Sequence, residues 1–190
     1  MKPSLAIRSV LWLWLIAALV AGRQLWLQRL PMPAVPGLLF GLTALILLAY
    51  WGIPFVRAWA DALDLRLLVL LHAVRFVGFW FLFLWSRGEL PYAFAVPGGI
   101  GDIIVALLAL VAALAPWGDR ARRRVINVWN VVGLTDILLV VFTAARLGLA
   151  DPSSMRALTR LPLSLLPTFV VPLILATHVI ILARLRREMR

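Results

Sequence analysis

Long apolar runs broken by short polar stretches dominate this chain, and six of them are long enough to cross a bilayer. A span needs about 20 mostly apolar residues at a helical rise of ~1.5 Å each. The runs predict helices over about 5–21, 37–56, 65–85, 97–115, 125–145 and 163–183. The expected fold class is therefore all-α, a polytopic membrane bundle of six transmembrane helices in one domain covering 1–190. Leu19-Val20-Ala21 lacks the small residue at −3 that signal cleavage requires, so the first run is read as an uncleaved span. In the last polar stretch, Asp151-Pro152 has the pattern of an N-cap followed by a first-turn proline. With Met155, Leu158 and Leu161 on one stripe, it predicts a short surface helix over 152–161.

Composition agrees with the pattern. Apolar residues make up 64% of the 190 and charged residues 14%, whereas a soluble domain is about half apolar and a quarter charged. The formal charge of +11 does not point to nucleic acid, because cytoplasmic loops of membrane proteins concentrate arginine and lysine. Six spans put both termini on one side. That side carries twelve basic residues (Lys2, Arg8, Arg57, Arg66, Arg120, Arg122, Arg123, Arg124, Arg184, Arg186, Arg187 and Arg190) against six on the other. Both termini are thus expected in the cytoplasm. The chain has no cysteine, which excludes disulfides, thiolate metal sites and covalent haem attachment, and its only lysine is Lys2.

Several smaller patterns carry expectations about packing. Gly37 and Gly41 have the four-residue spacing of close helix contacts. Tyr50 and Trp51 suit an aromatic belt at a membrane edge. Gly98, Asp102, Ala106, Ala109 and Ala113 form a small-residue stripe on the fourth helix. Leu30-Pro31…Pro36-Gly37, Leu90-Pro91…Pro97-Gly98 and Leu161-Pro162…Pro167 suggest three hairpins of similar design.

The chemistry lies in the few ionisable groups inside these runs, which cost ~2.5–3.5 kcal/mol each on insertion scales and so tend to face a partner or a site. Depth follows from counting residues from the basic helix ends. His72 is six residues past Arg66, Asn130 six past Arg124, and His178 six before Arg184. All three should lie ~9 Å inside their helices, in one layer holding both histidines of the protein. Arg75 and Asp136 lie deeper, at ~14 and ~18 Å, close enough to form an ion pair. Asp102, five residues into the fourth predicted helix, is the less favoured partner. His72, Arg75 and Phe79 are expected on one face of the third helix.

Two histidines facing each other at one depth would suit a b-type haem, with Arg66 and Arg184 pairing its propionates, Asn130 beside it and local redox or quinone chemistry as the role. A second expectation is a small proton or anion transporter or channel lined by Arg75, Asp102, Asp136 and the histidines. A third is a structural or assembly subunit of a membrane complex or homo-oligomer. A membrane enzyme is a further class, with no catalytic residues assigned. Gly98-Gly99-Ile100-Gly101-Asp102 is no phosphate loop, since it lacks the Lys-Ser/Thr that follows one.

His72-x-x-Arg75-Phe76-x-Gly78, the segment Gly88–Asp102 with its Leu-Pro and Pro-x-Gly-x-Gly-Asp pattern, and Trp129-Asn130-x-x-Gly133-x-x-Asp136 together resemble a family of bacterial polytopic inner-membrane proteins with no known activity. The resemblance covers the middle third of the chain. It implies a bacterial inner-membrane location and no particular reaction.

Overall fold

A computed structural model describes residues 3–31 and 33–188. Lys2 and Arg190, counted above among the inner charges, lie outside the described residues. The described chain is mostly helical, without a strand, and six helices are long and apolar enough to span a membrane. They are α1 (Pro3–Arg23), α2 (Ala34–Gly52), α3 (Leu65–Ser86), α4 (Tyr92–Leu114), α5 (Asp119–Ala150) and α6 (Leu166–Arg187). This is an integral, multi-pass membrane protein. Helices are favoured in lipid because every backbone polar group finds its partner within the same segment.

The chain divides into two compact units, residues 1–63 with 148–176 and residues 64–147 with 177–190. In the first, the Trp14 indole N–H donates to the Thr168 carbonyl at 2.9 Å, and its ring packs edge-on against Phe169. Tyr50 is buried, its hydroxyl 2.8 Å from Oδ1 of Asp61, so it packs inside the unit while Trp51 alone is exposed as a belt residue would be. Gly37 and Gly41 are exposed, and a Cβ at either would meet nothing within 4 Å, so their spacing makes no close contact among the described residues. Pro54 stops the span, which ends at Gly52 with Ile53 extended before the proline, and it opens a separate short helix, Pro54–Ala62, as a first-turn proline can.

The expected surface helix is mostly a turn, continued by one 3₁₀ turn over Arg156–Thr159. Asp151 competes with the helix for local hydrogen bonds. Its Oδ1 accepts from the Ser153 hydroxyl (2.7 Å) and amide (2.9 Å), which holds the carboxyl below its usual range. The proline-flanked turns do not share one geometry. Pro91 caps α4 in an extended conformation, Pro33 caps α2 in a helical one, and α6 opens with a π-type turn over Leu166–Val170.

The second unit departs from regular helix where it matters most. Within α3, the stretch Leu71–Val77 is a 3₁₀ helix between two α-helical pieces. At three residues per turn, side chains at i and i+3 eclipse. His72, Arg75 and Gly78 therefore line one buried edge, while Leu71, Val74 and Phe79 are exposed. Phe79, expected beside His72 and Arg75, belongs to the outer face, because that expectation assumed 3.6 residues per turn.

That edge packs on α4. A Cβ at Gly78 would run into the Gly99 carbonyl, and one at Gly99 would stand 2.8 Å from the Gly78 carbonyl. The two backbones thus touch, as small residues allow in membrane helix pairs. The rest of the α4 stripe, with Gly98, Asp102, Ala106, Ala109 and Ala113, is buried as well. α5 is longer than expected at 32 residues, or ~48 Å, against a hydrocarbon core of ~30 Å. Its first turns take in the basic stretch Asp119–Arg124 that looked like a loop.

Candidate functional site

Two buried polar clusters meet inside the second unit. The first is centred on Arg75, whose side chain is 1% exposed. Its Nε and Nη2 each stand 2.6 Å from Oδ1 of Asp102. Its Nη1 donates to the Gly133 carbonyl at 3.0 Å, and Nη2 also donates to Oδ2 of Asp136. One guanidinium on α3 therefore binds α4 and α5 together, a use suited to its fixed fork of five N–H donors. Asp102, the less favoured partner by depth counting, is a full partner of Arg75. The miscount has a simple cause: α4 starts at Tyr92 and carries Pro97 inside it. Asp102 is thus ten residues, or ~15 Å, into its helix.

The two carboxylates are not equivalent. The Asp102 side chain is 4% exposed and takes both contacts on one oxygen, whereas Asp136 is 23% exposed and meets Arg75 through one N–H. The other Asp136 oxygen lies where a Cβ of residue 101 would be, so Gly101 is what admits this carboxylate.

The second cluster holds His72, Trp129, Asn130 and His178. The imidazole centroids are 4.2 Å apart, and Trp129 lies 4.9 Å from His72 and 5.4 Å from His178. The Trp129 N–H donates to the Val105 carbonyl at 3.0 Å, which anchors the indole to α4. Asn130 holds His178 at two points: Nδ2 donates to the His178 carbonyl at 3.0 Å, and Oδ1 lies 2.7 Å from Nδ1. Nε2 of His72 is 3.1 Å from the Thr177 hydroxyl. His72, Asn130 and His178 are fully buried, yet His72 Nδ1 and His178 Nε2 have no hydrogen-bond partner.

Gly133 joins the clusters. Its carbonyl faces Arg75, while a Cβ on it would stand 2.8 Å from Cε1 and 3.2 Å from Nε2 of His178, and 3.1 Å from Val105. Thr177, Trp129 and Gly133 did not figure as site residues in the sequence. The Trp-Asn-x-x-Gly-x-x-Asp pattern of 129–136 marked the last two, with Gly133, flanked by Asn130 and Asp136, as a point of close approach. Arg66 is exposed, its amide bonded to the Asp64 cap at 2.8 Å, and Arg184 is half-buried. Both stand six residues, or ~9 Å, along their helices from the imidazoles.

An iron held by both histidines would have to lie between them with its macrocycle, and here the two rings are in contact instead. The pair as folded does not fit a haem. Among the described residues, no group of three or more histidine, aspartate or glutamate side chains converges as a metal site.

Residues 32–186 match the family described as a domain of unknown function (DUF8737). The chain belongs to this family. The matched region contains every residue of both clusters. No curated protein and no solved structure matches the chain.

Proposed function

We propose that this is a multi-pass protein of a bacterial inner membrane that binds and passes protons at the Arg75–Asp102–Asp136 site. The carrying observation is a charge count. Two carboxylates, Asp102 buried and Asp136 partly so, share the buried Arg75 guanidinium, leaving one negative charge in excess. An uncompensated charge inside a membrane protein is costly and usually marks a proton or ion path. One proton on the pair restores neutrality. Asp136 is the better carrier, since it has one contact to Arg75 and the only appreciable exposure of the three groups. The excess is negative, so it favours a proton over an anion. The inner-membrane location rests on the arginine distribution and on the sequence resemblance.

Purified protein in liposomes with an entrapped pH dye, under an imposed potential, is expected to take up protons. Asp136→Asn, which keeps the shape and removes the titrating group, is expected to reduce uptake to that of empty vesicles. Uptake unchanged in Asp136→Asn would overturn the assignment. A folded wild type without uptake that co-purifies with other membrane subunits would assign the triad to packing in a larger assembly. An absorption spectrum with a Soret band lost in both His72→Ala and His178→Ala would show that the rings separate around a haem, and would replace the proton role with a redox one.

A further inference from the structure

The free nitrogen of His178 has a defined chemical state, and Asn130 defines it. The Asn130 amide can face His178 in only one sense, because its NH₂ must meet the His178 carbonyl at 3.0 Å; turned over, two carbonyl oxygens would oppose each other. That puts the Asn130 oxygen 2.7 Å from Nδ1, a contact that requires the ring proton to be there. Nε2 is left with a bare lone pair, fully buried and unpartnered. Such an acceptor carries the full cost of desolvation unless a donor arrives.

We infer that His178 Nε2 is a second proton-binding site, in series with the Arg75 cluster across Gly133, and that Asn130 positions it by holding the Nδ1–H tautomer. This rests on the proton role proposed above for the source of the proton. Gly133 is buried with its carbonyl on Arg75, and a Cβ on it would stand 3.2 Å from Nε2, so a single residue borders both sites. In the transfer, the O–H bond of a protonated carboxyl in the Asp102–Asp136 pair breaks and an N–H bond forms at Nε2. A carboxylate and an imidazolium result, and the net charge of the buried group is unchanged. The charged groups of the two clusters fit this exchange. Arg75 and His72 on α3 oppose a second positive charge, Asp102 on α4 and Asp136 on α5, both held on Arg75, carry the compensating negative one, and Asn130 and Trp129 beside His178 are neutral. On its own helix the nearest charge is Arg184, six residues away. Two imidazoles in contact at 4.2 Å hold one added proton between them, since a second would place two cations side by side.

The chain contains two histidines, so ¹⁵N-histidine labelling of the full-length protein in lipid gives two imidazoles to resolve, with His72→Gln for assignment. Expected at neutral pH is a His178 ring protonated at Nδ1 and bare at Nε2, which gains a proton at Nε2 on acidification. Asn130→Ala is expected to turn the single tautomer into a mixture, and Asp136→Asn to move Nε2 protonation to lower pH. The site is overturned by an Nε2–H tautomer at neutral pH, by a His178 signal indifferent to Asn130→Ala, or by an Nε2 that stays bare wherever the protein is folded. A protonation pH unmoved by Asp136→Asn overturns the coupling. Wild-type liposomes without proton uptake would instead remove the transport role, while the nitrogen spectra still decide the site.

Discussion

Arg75→Ala is expected to lower stability by about 3–5 kcal/mol, the usual cost of removing one partner from a buried ionic group. The substitution strands Asp102 and Asp136, of which Asp102 is almost fully buried, and unties α3 from α4 and α5 at once. It also leaves the Gly133 carbonyl without its donor. Thermal unfolding in detergent, monitored by tryptophan fluorescence, reads the effect directly. Arg75→Lys is expected to recover little, because an ammonium does not reproduce the planar fork that reaches Asp102, Gly133 and Asp136 together. The triple variant Arg75→Met, Asp102→Leu, Asp136→Leu separates structure from function. Apolar replacement of a complete buried ionic group is often neutral or stabilising. Regained stability without proton uptake is therefore expected. Regained stability with full uptake would show that the triad serves packing alone.

The second large effect is steric. Gly78→Val is expected to destabilise by at least about 1–3 kcal/mol, the range for overpacking a filled core. The obstacle at residue 78 is the Gly99 backbone carbonyl, with the Asp102 Cβ 3.1 Å from the new atom. No flexible side chain is available to give way, so α3 and α4 must part. Parting them also draws Arg75 away from Asp102, and proton uptake should fall along with the unfolding temperature. The paired control is Gly37→Ala, where the added methyl meets nothing. That change is expected to be neutral or to stabilise by about 0.5–1 kcal/mol, from the helix preference of alanine over glycine. Equal losses in the two variants, read by the same thermal measurement, would refute the account of the Gly78–Gly99 contact.

Part of the site was visible in the chain before folding. Counting residues from Arg66, Arg124 and Arg184 placed His72, Asn130 and His178 at one depth, and the structure brings these three together. The count needs only the helical rise and a shared reference point, and it succeeded although Arg124 lies five residues inside α5 and not at its end. It went wrong for Asp102, because two prolines compete to start α4 and local preference cannot choose between them. Pro91 caps the helix and Pro97 lies within it. Phe79 went wrong for another reason. A spacing of three fits both α and 3₁₀ winding, and which one forms over Leu71–Val77 depends on what the edge must reach. Two carboxylates and the Gly99 backbone lie along that edge, on other helices.

The sequence alone determined the six spans, because lipid demands long apolar segments with internally satisfied backbones, a condition each segment meets by itself. It also determined that a handful of ionisable groups would be trapped inside them. Only the tertiary structure decided that Arg75 serves both aspartates, that the histidine rings touch, and that Asn130 leaves Nε2 of His178 bare. Lipid is as apolar as leucine, so burial hardly discriminates among helix rotations and pairings. Close approach does: Gly78 on Gly99, Gly101 beside Asp136 and Gly133 under His178 are the contacts that set how α3, α4, α5 and the end of α6 meet. Those contacts bring together residues far apart in the chain, and no local pattern encodes them.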